Sequence, residues 1–246
     1  LGKRSRGPAV HLSVPFLYSV CYGTAMLSRV LEPEVMDTLE EALDYDSMDH
    51  SEVNRVFVAD FLAAGASPGK VADLGTGTAL IPIELLRRNR QFEVVAVEYS
   101  RHMLLVAREH LRELALLDKI LLVRADAKRL PFADGAFTLV MSNSLIHHLP
   151  DPWQGIVEAH RITAPGGLLF FRDLARPEDE QRLQQLVMQY AGDANAHQQQ
   201  MFADSLRAAL TVEEMAELVT RLGYPPTSVR MTSDRHWTWC ARKPRS

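Results

Sequence analysis

The stretch VADLGTGTALIPIELL, Val71 to Leu86, decides the fold. A short apolar run ends in an acid, turns through two glycines and passes into apolar residues at helical spacing. Gly75 and Gly77 let the backbone turn tightly and approach a ligand closely, and free amides of the following helix start are expected to face whatever binds there. This is the strand, turn and helix of a nucleotide-type cofactor site. Asp73 narrows the choice. A dinucleotide fold places its main acid at the end of the second strand and usually carries a third glycine, where this chain has Leu80. An acid near the end of the first strand suits a cationic ligand instead.

Outward from that turn, short β-rich runs alternate with helical patterns, the signature of βαβ units and a parallel sheet. Strands are expected at Lys70–Leu74, Phe92–Glu98, Ile120–Arg124, Phe137–Ser142 and Gly167–Asp173. Helices are expected near Thr78–Arg88, Arg101–Leu116 and Trp153–Ile162, the last stopped by Pro165-Gly166-Gly167, which turns directly into the fifth strand. After Asp173 the rhythm changes to a polar helix around Glu178–Tyr190, a Gln-rich patch at Gln198–Gln200, a helix near Val212–Leu222, and two closing runs, Thr227–Thr232 and Trp237–Arg242, that read as a hairpin. In that last run alternation puts His236, Thr238 and Cys240 on one face and Trp237 and Trp239 on the other, with the tryptophans expected in the core.

A chain of 246 residues with 47% hydrophobic and 24% charged residues can bury one sizeable core as a single α/β domain. A net charge of −4 disfavours a surface built to track nucleic acid. Two cysteines far apart, Cys21 and Cys240, make a disulfide framework improbable, and a reducing cytoplasm is the default compartment. Lys3, Arg4 and Arg6 precede an apolar stretch from Ala9 to Leu27 that partly resembles a targeting segment. Pro15, Gly23 and His11 interrupt it, so no integral membrane span is expected. Residues 1–43 are read as a peripheral extension ahead of a catalytic domain at 44–246, with a lid or docking helix and a targeting segment as the other readings.

Further along, Glu98 ends the run VVAVE, at a carboxyl edge where an acid can accept from both hydroxyls of an adenosine ribose. Asp126 follows the third strand in VRADAKRLPF, and LPFADGAFTLVMSNSLIHHLPDP runs from an Asp-Gly turn through the fourth strand to a His-rich helix start. Together with the glycine turn, these stretches resemble the class I S-adenosylmethionine (SAM) methyltransferases, in the branch similar to ubiquinone and menaquinone biosynthesis (methyltransferase type 11/25-like). The resemblance covers roughly Asp44 to the end. It implies a doubly wound, mostly parallel seven-stranded Rossmann-like sheet with an antiparallel terminal strand, SAM as cofactor, and methyl transfer to a small-molecule acceptor. It also implies that Asp73, Gly75, Thr76, Gly77, Glu98, Tyr99, Asp126, Ala127 and Asn143 form the cofactor cleft, with Asp73 near the methionine amino group and Asp126 and Ala127 at the adenine. Tyr45, from a helix ahead of the sheet, is expected to close over the methionine end, and Ser51 to cap the helix that follows it.

Asn143, His147 and His148 are the candidates for chemistry beside the methyl group. The run Ser142-Asn143-Ser144-Leu145 departs from the Pro-Pro-aromatic pattern that grips planar amines, which leaves oxygen, sulfur, carbon and small-amine acceptors open. Imidazole takes a proton near neutral pH, yet adjacent residues point in different directions, so a structural or cofactor-positioning role is favoured for the His pair over catalysis. No third and fourth ligand at suitable spacing accompanies them along the chain, and no metal is expected. Arg172, Asp173 and Arg176 either meet a polar substrate or form a salt-bridged strand end. Two rival functions remain open at this point: a NAD-dependent reductase on the same scaffold, and a non-catalytic SAM-binding or assembly protein.

Overall fold

β1 (Lys70–Leu74) has every residue after its first buried, and β2 (Glu93–Glu98) has four consecutive buried residues. Such continuous apolar runs need cover on both faces, which is what a central parallel strand receives. The computed structural model describes Gly2, residues 26–32 and residues 38–245. The readings of residues 3–25 as an extension, lid or targeting segment lie outside the described residues.

With β3 (Ile120–Arg124), β4 (Phe137–Asn143), β5 (Thr163–Leu174), β6 (Val229–Met231) and β7 (His236–Arg242), the strands form one sheet in the order β3-β2-β1-β4-β5-β7-β6. The first five are parallel; β7 inserts antiparallel to β5, and β6 pairs antiparallel with β7. The order reverses at β1, between β2 and β4, and a crevice opens at the carboxyl edge of such a switch point.

The helices are α1 (Leu39–Ser47), α2 (Ser51–Ala63), α3 (Leu80–Arg88), α4 (Arg101–Glu113), α5 (Pro152–Ile162), α6 (Glu180–Ala191), α7 (Ala196–Ala208) and α8 (Val212–Arg221). Two cores result, because alternate residues of each strand face opposite ways. Val71, Val94, Leu139 and Phe170 pack with Phe57 and Phe61 of α2 and Ile83 and Leu86 of α3. On the other face Ala72, Val95, Val140 and Phe171 pack with Ile156 of α5, Met215 and Val219 of α8, and both Trp237 and Trp239.

Several boundaries differ from the sequence reading for local reasons. α3 begins at Leu80 because Ala79 takes a left-handed conformation, and α4 stops at Glu113, where Ala115 does the same and the Leu116 amide returns to the Leu111 carbonyl. β5 starts earlier than expected, since Thr163 already pairs with Phe137 across a register shift, so Pro165-Gly166-Gly167 lies inside the strand. Ser51 is the first helical residue of α2 rather than its cap. His50 holds the cap position, and the Ser51 amide donates to Asp49 Oδ1 instead. The Gln-rich patch is part of α7, whose start carries a reciprocal capping box between Asn195 and Gln198.

No helix among the described residues is long and apolar enough to cross a membrane. The expected core role of Trp239 holds: it is fully buried, with ring centroids 5.4 Å from both Phe171 and Tyr224. Trp239→Ala is expected to cost about 3–5 kcal/mol of folding stability in urea titrations. Met231→Ala, at an exposed site on the neighbouring strand, is expected to change it by less than about 0.5 kcal/mol.

Candidate active site

The glycine turn is held from β2. The Val97 carbonyl accepts from both the Gly75 and Thr76 amides at 2.9 Å, and Glu98 Oε2 accepts from the Gly77 amide at 3.0 Å. These three turn amides are therefore used within the protein; α3 itself starts at Leu80 with no side chain capping it. Gly75 has φ +71°, and a Cβ there would lie 2.9 Å from Leu145 Cδ1, so this position admits no side chain without displacing the loop after β4.

Asp73 is buried beneath this turn and accepts a hydrogen bond of 2.6 Å from Thr76 Oγ1. Burial raises its carboxyl from 3.8 to about 7, against the lowering effect of the Thr76 hydroxyl, and the nearby Glu98 charge adds to the rise. Glu98 Oε1 accepts from the Tyr99 and Ser100 amides at 2.8 and 2.9 Å, which fixes the carboxylate at the strand end. Each carboxylate oxygen has more than one acceptor site, so hydroxyl donors still have room. Asp126 Oδ1 is steadied by the Lys128 amide at 2.8 Å.

A cavity of about 930 Å³ opens over this edge. That lies near the top of the range of roughly 300–1,000 Å³ for small-molecule sites, enough for a cofactor and an acceptor together. Of the residues expected at the cofactor, Tyr45, Gly75, Gly77, Glu98, Tyr99, Asp126, Ala127 and Asn143 line it. Asp73 and Thr76 are buried behind the turn and are not on the wall. Tyr45 stacks on His50, ring centroids 4.6 Å apart, with its Cε1 3.8 Å from where a Gly77 Cβ would be. Burial, with Glu98, Asp46 and Asp73 adding to it, pushes the Tyr45 phenol up to about 12. Asn143 Oδ1 is buried with no hydrogen-bond partner among the described residues, an acceptor that a ligand amine or hydroxyl would satisfy.

The other half of the cavity was not legible as a site in the sequence. Tyr190 of α6 and Met201, Phe202 and Ser205 of α7 wall it, with Leu149 and His236. The readable signal was Asn195 three residues before Gln198, followed by Met201, Phe202 and Leu206 at helical spacing. His236 is bonded to Ser233 Oγ at 2.9 Å, and burial lowers it to about 4, so it is neutral.

His147 and His148 lie on a single 3-10 turn, Ile146–His148, and both reach the cavity wall. Asp173 anchors the turn: Oδ2 accepts from the Ile146 and His147 amides at 2.6 and 3.2 Å, and Oδ1 lies 2.5 Å from His147 Nδ1. A carboxylate acceptor requires the proton on Nδ1, so Nε2 is the nitrogen presented outward. Burial opposes charge on His147, but the Asp173 charge and hydrogen bond, with Glu32, outweigh it and hold the imidazole above its ordinary value. Of the other candidates at this strand end, Arg172 is a structural pair with Asp60 at 2.6 Å, and Arg176 pairs with Glu214 at 2.5 Å.

Comparison with known proteins follows the same residues. The family described as a methyltransferase domain matches residues 72–171. A demethylmenaquinone methyltransferase of Desulfitobacterium hafniense is 33% identical over 114 residues, 46% of this chain and 45% of that protein. One from Lactiplantibacillus plantarum is 28% identical over 171 residues, 65% of this chain and 71% of that protein. Apart from the latter, the chain spans about half the length of the first curated relatives it matches. The crystal structure of a SAM-dependent methyltransferase from Methanococcus maripaludis superposes with a TM-score of 0.66 at 17% identity, over 89% of this chain and 98% of that one, which shows the shared fold.

The buried Asp73 makes a pH prediction. The unfolded chain ionises this group near 3.8, whereas the native protein keeps the proton until about 7, so the unfolded state binds fewer protons in between and stability falls as pH rises through that window. Asp73→Asn is expected to flatten this part of the urea-stability profile, by a total on the order of 4 kcal/mol for a shift of about three units. Curves that stay parallel between pH 4 and 7 would count against a buried, proton-retaining Asp73.

Proposed function

We propose that this chain, whose residues 72–171 are a methyltransferase domain of the class I, SAM-dependent type, transfers the methyl group of SAM to a small-molecule acceptor with an apolar body. The observation that carries the reading is the cavity at the switch point of the sheet. Glu98 and Asp126 line its cofactor half, Asp73 lies just behind, and the glycine-turn amides are used internally. A site that offers the Glu98 and Asp126 carboxylates and uses its glycine-turn amides internally suits a cationic ligand.

When bound, SAM supplies an activated methyl on a sulfonium. Glu98 would take the ribose hydroxyls and Asp126 with Ala127 the adenine, while Asn143 and Tyr45 would hold the methionine end and Asp73 would brace the turn from behind through Thr76. The protein's own contribution is then to orient and to exclude water, since holding reactants in line is worth effective molarities of order 10⁵ to 10⁸ M. Met201, Phe202, Leu149 and Tyr190 bring apolar surface to the acceptor half, beside the polar Gln198, Ser205 and His236. That lining fits a ring or chain better than a highly charged metabolite, and relatives named for demethylmenaquinone fit the same description. A base is required only for a protonated acceptor. The cytoplasmic setting belongs to this proposal and is supported by the scarcity of cysteine.

Calorimetry with S-adenosylhomocysteine tests the cofactor half. Glu98→Ala is expected to weaken binding by about 1.5–3 kcal/mol, the usual range for a hydrogen bond to a charged group. Thermal shift by S-adenosylhomocysteine and none by NADH is the accompanying result, and the reverse pattern would overturn the proposal. Methyl-labelled SAM, incubated with the protein and a cell extract, then identifies the acceptor by mass spectrometry of the labelled product.

A further inference from the structure

Residues 26–32 lie against the segment before α6 and the end of α7. The Leu27 amide bonds to the Glu178 carbonyl and the Val30 amide to the Arg207 carbonyl, each at 3.1 Å. The Arg29 guanidinium donates to the carbonyls of Ala208, His147 and Leu149. This docking carries Glu32 to the His pair, 115 residues away in sequence. Glu32 Oε1 lies 3.3 Å from His147 Nε2 and 3.1 Å from His148 Nδ1. Glu32 Oε2 accepts from Ser205 Oγ at 3.1 Å, which fixes the carboxylate.

We propose that Glu32, His147 and His148 form a binding site for a divalent transition-metal ion of the zinc and cobalt class, with one coordination position left open to the acceptor cavity. The donor atoms of the three side chains all lie within 4.8 Å of one another. Ligands at about 2.0–2.1 Å from a tetrahedral ion stand about 3.3–3.4 Å apart, close to the two edges that Glu32 Oε1 makes with the imidazoles. Glu32 Oε1 is buried, and no described donor meets it in hydrogen-bonding geometry, while His147 Nε2 and His148 Nδ1 both stand beside it in ion-pair range. Two imidazoles and a carboxylate form a borderline-soft set that selects zinc-class ions over calcium or magnesium. Asp173 completes the pattern: bound to His147 Nδ1, it turns Nε2 toward Glu32, as the outer carboxylate does in carboxylate-histidine-metal triads. Charge agrees with this. The carboxylates of Glu32 and Asp173 and the guanidinium of Arg29 meet around these imidazoles, and a cation there offsets the excess of carboxylate. A proton shared between His147 and Glu32 would balance the same charge, and the experiment separates the two.

The whole chain, stripped of metal with a chelator, is titrated with Co²⁺ and followed by its ligand-field absorption, with Zn²⁺ as competitor. The expected result is a saturating tetrahedral or five-coordinate spectrum that Zn²⁺ erases. Glu32→Gln and His148→Ala are each expected to weaken the ion by about 100-fold or more, and Asp173→Asn by about 10- to 100-fold. S-adenosylhomocysteine affinity, measured separately on the Glu32→Gln variant, is expected to stay within about threefold, which shows that it folds and that cofactor and metal readings succeed or fail independently. A featureless spectrum for the unaltered protein, or equal Co²⁺ affinity in both variants, would overturn the site and leave a proton-held contact between residues 26–32 and the His pair.

Discussion

The closure of the glycine turn onto β2 is the constraint on which the site depends. The Val97 carbonyl receives two amides from the turn and the Glu98 carboxylate a third, so the end of β1 is tied to the end of its neighbour rather than left as an open loop. Such a turn can be built only where the backbone takes positive φ and where no side chain meets Leu145, which is why glycine stands at Gly75. The chemical consequence is that the edge of the sheet presents carboxylates. Buried peptide groups must be paired with something, and pairing them inside the protein makes the site hospitable to cations.

A second constraint sits on the opposite side of the crevice. Asp173, almost wholly buried, is held by the amides of Ile146, His147 and Leu174 and by the His147 imidazole. Burial works against its charge, but His147 and the Leu174 amide more than compensate and keep the carboxyl below its ordinary value. Removing one partner of such a pair costs about 3–5 kcal/mol, because the survivor stays buried and unpaired. The 3-10 turn after β4 is thus positioned by β5, and it both carries Leu145 against Gly75 and sets the His pair on the cavity wall.

Much of this was legible along the chain because parallel strands buried on both faces read as unbroken apolar runs, and because cap and turn residues punctuate them. VADL, VVAVE and FTLVMS announced β1, β2 and β4, and Asp73 and Glu98 near the ends of the first two fell at one edge as soon as the strands were parallel. The antiparallel insertion of β7 followed from the resemblance, and the burial of Trp237 and Trp239 from the alternation of HWTWC. α7 was missed because its exposed face is rich in glutamine and its apolar face is short, so composition masked the period. The partners of the glycine-turn amides were not legible for a different reason: local sequence shows that a turn exists, but not which carbonyl across the sheet its amides will meet.

What the amino-acid sequence determined by itself was the succession of strands and of the helices around the glycine turn, the turn itself and the set of acids near the carboxyl edge, since these depend on local periodicity and turn chemistry. What only the tertiary structure decided was the company those residues keep. Asp73 went behind the wall rather than onto it, α6 and α7 closed the acceptor half, and Glu32 arrived beside His147 and His148 from 115 residues away. The physical reason is that contacts between distant segments are set by which faces pack together. Neither spacing nor composition in one segment encodes the partner that packing will bring to it.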